Sequence, residues 1–111
     1  MSSSSAPEIN PVSPTGLDYE WVTSGATAVA LGPTGAAGDL LVGLLIVPQS
    51  ISPGAVQIID STTSNSVFEG GTSSVSTLIP FFVPINAKSV NGAWRVSTGA
   101  AVRAMAVGRF T

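Results

Sequence analysis

The positive charges of this chain are gathered near its end. Lys88, Arg95, Arg103 and Arg109 are its only basic side chains, and they lie where apolar and polar residues alternate as in half-buried strands. An arginine guanidinium pairs with a carboxylate through two parallel hydrogen bonds, so this segment has the chemistry to bind an acidic surface. Two interpretations stay open: scattered charges on a sparsely charged domain, or a cationic strip that meets acidic residues of another protein.

Groups suited to catalysis are scarce. The chain has no cysteine and no histidine, which removes thiolate nucleophiles, the commonest metal ligand and the usual proton shuttle near neutral pH. Asp18 and Glu20 fall on one face of a strand, and Lys88 precedes Ser89. Neither spacing establishes the paired carboxylates of a glycosidase or a Ser/Lys nucleophile. We therefore predict that the protein is not an enzyme and needs neither metal nor cofactor.

Two other motifs have simpler structural explanations. The segment GPTGAAG places glycine at 32, 35 and 38, but it lacks the Lys-Ser/Thr ending of a phosphate-binding loop and the length of a collagen repeat. We predict a connection between strands. Trp21 and Trp94 are predicted to be core or interface anchors rather than a platform for sugars.

Composition narrows the range of partners. Only 9% of the residues are charged while 44% are hydrophobic, so much of the surface must be small residues or be covered by a partner. A net charge of −2 argues against binding to nucleic acid, which needs a clustered excess of Lys and Arg. The longest apolar run, Leu40 to Val47, is too short to span a membrane, and the first residues lack the features of a secretory signal. We expect neither nucleic acid nor membrane as a partner, and synthesis in the cytoplasm.

Turn residues recur at strand-like spacing after residue 18, which predicts an all-β domain. We expect a jelly-roll-like antiparallel sandwich of about eight strands over residues 18–111, preceded by an extended N-terminal arm over residues 1–17. The candidate strands are Tyr19–Thr23, Thr27–Leu31, Leu40–Val47, Ala55–Asp60, Ser66–Glu69, Val75–Ile79, Phe81–Ile85, Ala93–Ser97 and Ala101–Arg109.

Three of these segments carry more specific predictions. Leu40–Val47 is predicted to be a central strand buried on both faces, and Phe81–Ile85, flanked or interrupted by prolines, to lie at an edge or a corner. In the last strand, Arg103, Met105, Val107 and Arg109 should share one face, opposite a face of small residues.

The dipeptide Asn91-Gly92 predicts a two-residue type I′ hairpin, because that turn needs positive φ at both central residues. In this register Lys88 would face Arg95. Like charges in that position destabilise a sheet unless a carboxylate lies between them. The sequence therefore predicts either a shifted register or a partner that neutralises the pair.

The arm is rich in serine and proline, with Ile9 and Val12 as isolated apolar residues. Such a composition favours an extended chain until something holds it. Two interpretations are equally open: a tail without contacts, or a segment whose Ile9 and Val12 dock on a neighbouring chain.

From about residue 24 onward the chain resembles small β-sandwich proteins of tailed bacteriophages. The resemblance lies in GDLLVGLLIVP, SPGAVQIID, FFVPINAKSVNGAWRVSTGA and the ending AVGRFT. It implies a structural virion protein on the capsid exterior, namely a decoration or cement protein that binds the major capsid protein. It brings no catalytic residues with it.

The resulting hypothesis is a homotrimer that stabilises a phage head by binding across shell subunits, with Ile9, Val12, Arg95, Arg103 and Arg109 as partner contacts. The choice of a trimer is an analogy with the local three-fold positions of capsids. Two alternatives remain: a tail or head-fibre module that binds host glycans through loops such as 61–74, and an enzyme acting on cell-envelope polymers.

Overall fold

The computed structural model describes residues 16–111, which form eight strands. Their bounds are β1 (Asp18–Val22), β2 (Val29–Ala30), β3 (Leu40–Pro48), β4 (Val56–Asp60), β5 (Thr63–Phe68), β6 (Phe81–Lys88), β7 (Trp94–Thr98) and β8 (Val102–Arg109). The described part of the chain contains no helix able to cross a membrane. The predicted arm, residues 1–17, lies almost entirely outside the described residues.

The strands form two four-stranded antiparallel sheets. The first sheet has the order β1-β8-β3-β6, and the second has the order β2-β7-β4-β5. The pairs β1–β8, β2–β7, β3–β6 and β4–β5 are those made when one long hairpin of eight strands is rolled up, which is the topology of a jelly roll. The predicted fold class is confirmed.

The core lies between the two sheets and consists of aliphatic side chains with one tryptophan. Strands β3 and β8 contribute most from the first sheet, where Leu44, Ile46 and Ala104 are fully buried. Trp94, the first residue of β7, is buried on the side of the second sheet, and its indole Nε1–H donates to the backbone oxygen of Asp39 over 3.0 Å. Because β8 presents only small residues inward, the sheets can approach closely at that strand.

Most strand predictions agree with the structure. β3 is central, between β8 and β6, as the apolar run predicted, although its outward side chains, Leu40, Leu45 and Val47, are only half-buried. β6 is an edge strand, as its prolines predicted, because Pro84 has no N–H to donate to a second neighbour. β8 has the predicted division between exposed or half-buried outward residues and buried small ones.

The predicted strand Val75–Ile79 is wrong. These residues form bends in the connection between β5 and β6, and Leu78 and Ile79 are exposed. β-branched residues favour a strand only where a neighbouring strand supplies hydrogen bonds and a face to pack on. For residues 75–79, the loop before β4 provides one backbone hydrogen bond, from the Val75 N–H to the Ile51 oxygen.

The predicted Asn91-Gly92 hairpin is also wrong. β6 and β7 belong to different sheets, so the connection over 89–93 crosses the sandwich instead of joining neighbouring strands. Asn91 and Gly92 do not adopt the positive φ of a type I′ turn. The Asp60 carboxylate holds this crossing by accepting from the N–H groups of Val90 and Asn91, at 2.8 and 3.0 Å.

Lys88 and Arg95 consequently do not face each other. Lys88 pairs with Leu40 in the first sheet, and Arg95 pairs with Ala30 and Ile59 in the second. The like-charge conflict that the hairpin register implied is absent.

Candidate interaction surface

The two sheets present chemically different outer faces. On the second sheet the outward positions include Arg95, Ser97, Gln57 and Ser66, so that face is polar. The first sheet instead places aromatic and aliphatic side chains outward, and several of them are exposed. We call these outward residues the first-sheet face; they are Tyr19, Trp21, Leu40, Gly43, Leu45, Val47, Phe82, Pro84, Lys88, Arg103, Met105, Val107 and Arg109.

An apolar row crosses all four strands of this sheet. Its members in spatial order are Trp21, Met105, Leu45 and Phe82. The two ends of the row are the most accessible, with 43% of Trp21 and 47% of Phe82 exposed. A solvated face of a sheet is normally polar, because inward apolar residues alternate with outward polar ones along each strand. An apolar surface that continues across all strands of such a face is therefore uncommon.

A second row lies beside the first and consists of Tyr19, Val107, Gly43 and Pro84. The Phe82 ring lies over Gly43, where a Cβ would collide with it and would stand 2.6 Å from the backbone oxygen of Val83. The glycine therefore lets an aromatic ring cover the backbone at the centre of the face.

The cations of the face stand at its two ends. At one end the Arg103 guanidinium carbon lies over the Trp21 ring at 4.6 Å from the ring centroid, a cation–π contact. At the other end Arg109 and Lys88 flank Leu40 in one cross-strand row, about 10 Å apart by strand spacing. Arg109 lies six positions after Arg103, a distance of about 20 Å along β8.

Four of the five carboxylates in residues 16–111 accept from backbone N–H groups rather than pairing with these cations. Asp18 accepts from Phe110 and Glu20 from Gly32. The buried Asp39 carboxylate accepts from three donors: the N–H of Ala36, and the N–H and hydroxyl of Thr111.

Within residues 16–111 the four cations form no ion pair, and no Asp or Glu occupies an outward position of the first sheet. The first-sheet face thus combines an apolar centre with three cations whose charge is not neutralised by neighbours. Protein interfaces have this anatomy, with a core depleted of charge and a polar rim.

The structure places the predicted contact residues in different regions. Arg103 and Arg109 share the first-sheet face, whereas Arg95 projects from the opposite side of the sandwich. Ile9 and Val12 lie outside the described residues. The four cations therefore do not form one continuous strip.

Trp94 lies in the core, one of the two predicted anchoring positions, whereas Trp21 is exposed on the first-sheet face and its role as an interface anchor stays a prediction. Trp94 is 7% exposed and cannot serve as a sugar platform while the sandwich is folded. The GPTGAAG segment is a strand connection, as predicted, and it has a structural role: the N–H groups of Thr34 and Gly35 donate to the backbone oxygen of Thr111, at 3.0 and 2.5 Å.

Sequence reasoning did not identify Trp21, Phe82 and Tyr19 as members of one face. The alternation within each strand was a usable signal, because Tyr19 and Trp21 are two residues apart and so are Phe82 and Pro84. What the sequence lacked was the strand order that brings them together. Among the described residues no cluster of acidic side chains is suited to hold a metal ion.

Comparisons with protein-family models, with curated proteins and with solved structures found no match for this chain.

Proposed function

We propose that this protein is a structural component of a bacteriophage particle, a decoration or cement protein that binds across subunits of the head shell. The resemblance of its strand and turn motifs to small phage sandwich proteins motivates this role. The jelly roll is compatible with it, since viral capsid proteins use that fold, although lectins and cupins use it as well.

The observation that carries the proposal is the first-sheet face. A domain with 9% charged residues exposes an apolar row across four strands and keeps three unpaired cations around it. Burying such a face against another protein removes apolar area from water, at about 25 cal/mol per Å² before the costs of association. Attachment across a subunit boundary would raise the barrier to opening of the shell.

The chemistry of the face also indicates the kind of shell surface it fits. Three cations without outward carboxylates favour a partner whose own apolar patch is bordered by Asp or Glu. Two copies of this face would repel one another, because each brings only positive charge. In the homotrimer that we propose for the attached state, the copies would therefore meet through other surfaces.

Re-binding of the purified protein to particles assembled without it tests this proposal. We expect Arg103→Glu to weaken attachment at least about tenfold, since it reverses a charge that meets carboxylates at the interface. Arg95→Glu makes the same change on the opposite side and should alter the affinity by less than about twofold. Equal effects of the two substitutions, or none from Arg103→Glu, would remove the first-sheet face from the mechanism.

A further inference from the structure

The first-sheet face needs an occupant before any partner is met, because an exposed apolar row promotes non-specific association. We propose that residues 1–15 of the same chain cover this face in the unattached protein. In this arrangement Glu8 pairs with Arg103, and Ile9 and Val12 lie on the apolar rows.

The chain enters the described domain at the correct corner for this contact. Gly16 has φ +77°, a left-handed conformation that turns the chain just before β1. A Cβ built on Gly16 would lie 3.0 Å from the Arg109 guanidinium, which belongs to the first-sheet face. Residues before Gly16 therefore start at the edge of that face.

The distances along the chain match the distances on the face. Glu8 precedes Gly16 by eight residues, which reach about 26 Å when extended. Arg103 lies about 20 Å along β8 from Arg109. A segment that starts beside Arg109 and runs along β8 thus brings Glu8 to Arg103.

The charges are complementary as well. Glu8 is the only charged side chain among residues 1–15, which contain no Lys or Arg. The face offers Arg103, whose guanidinium lies over the Trp21 ring and has no carboxylate partner in residues 16–111. A carboxylate beside Arg103 can form a hydrogen-bonded ion pair with the guanidinium, and the arginine side chain needs little further ordering to do so.

The apolar residues of the segment fit the same surface. Pro11 and Pro14 favour an extended polyproline conformation, in which residues three apart project to the same side. Ile9 and Val12 have that spacing. Proline-rich segments of this kind bind aromatic-lined surfaces, and the first-sheet face exposes Trp21 and Phe82.

This inference goes beyond the proposed attachment to a shell and does not depend on it. If both hold, the segment and the shell compete for one face. The segment would then shield the apolar rows until a carboxylate-bordered partner displaces it.

The test uses the full chain labelled with 5-fluorotryptophan, which gives separate fluorine resonances for Trp21 and Trp94. Because the chain contains no cysteine, Ala6→Cys provides a single site for a nitroxide label. We expect the label to broaden the Trp21 resonance at least about twofold relative to its reduced form, since a tethered segment has a millimolar effective concentration. Trp94, inside the sandwich, should be affected less.

Substitutions in the labelled chain then test the specific contacts. Glu8→Lys and the pair Ile9→Ser with Val12→Ser should each abolish most of the broadening at Trp21. Glu69→Lys makes the same charge change at an exposed site of the domain and should leave the broadening of the Trp21 resonance unchanged. Trp21 broadening that survives the changes at Glu8 and at Ile9 with Val12 would overturn the proposal.

The remaining outcomes are equally decisive. No broadening of Trp21 in the parent labelled chain would show that the segment does not cover the face. Broadening that appears only when a labelled chain without fluorine is mixed with a fluorinated unlabelled chain would place the segment on a second copy. That result would contradict the intramolecular contact.

Discussion

At the scale of single residues, Asp39 holds together parts of the chain that are far apart in sequence. Its carboxylate accepts from Ala36 and Thr111, and its backbone oxygen accepts from the Ser89 N–H and the Trp94 indole. The side chain is 5% exposed, so water cannot replace these contacts readily. Asp39 therefore connects the loop before β3, the crossing before β7 and the segment after β8.

We predict that Asp39→Ala lowers the free energy of unfolding by about 1.5–3 kcal/mol, because it removes the charged acceptor that holds the Ala36 and Thr111 N–H groups. Urea denaturation measures this loss. Glu69→Ala is the matched control, since Glu69 is exposed, and should change the stability by less than about 0.5 kcal/mol. Equal losses for the two variants would show that the Asp39 hydrogen bonds do not stabilise the fold.

The sequence predicted few of the contacts made by single carboxylates. It placed Asp18 and Glu20 on one strand face, and both indeed lie on the side of β1 that faces away from Tyr19 and Trp21. Their acceptor roles were not predictable, because Asp18 binds a residue 92 positions away. The same holds for Asp39 and Thr111, which are 72 positions apart.

At the scale of strands, β3 separates the two environments of the molecule. Leu44 points into the core and is fully buried, while its neighbour Leu45 points to the first-sheet face and is half-buried. Substitutions at these two adjacent residues therefore probe opposite sides of one sheet.

We predict that Leu44→Ala costs about 2–5 kcal/mol of stability, because it opens a cavity between the sheets. Leu45→Ala removes the same atoms from a half-buried site and should cost only about 1 kcal/mol. Thermal or urea unfolding of both variants gives the comparison. A Leu44→Ala variant no less stable than Leu45→Ala would contradict the assignment of the core.

Local patterns predicted where most strands lie but not how they pair. Alternation and apolar runs are properties of neighbouring residues, so β3, β6 and β8 were recognisable from the sequence. Pairing depends on residues distant in the chain, which explains both errors. Asn91-Gly92 looks like a hairpin turn but joins two sheets, and Val75–Ile79 has strand-like residues but lacks a strand neighbour.

At the scale of the whole molecule, the sandwich is asymmetric. One outer face is polar, and the other combines apolar rows with unpaired cations. The sequence predicted the cations and the shortage of charge but not their division between two faces, since Arg95 separates from Arg103 only once the strands are assigned to sheets. This asymmetry is what a domain needs to attach by one side to a larger structure.

The central claim, that the protein decorates a phage head, is tested most directly by its copy number in purified particles. Quantitative mass spectrometry against the major shell protein measures that ratio. The account predicts a number of copies comparable to the number of shell subunits. A handful of copies per particle would instead indicate a fibre or tail component, and absence from the particle would contradict a virion role.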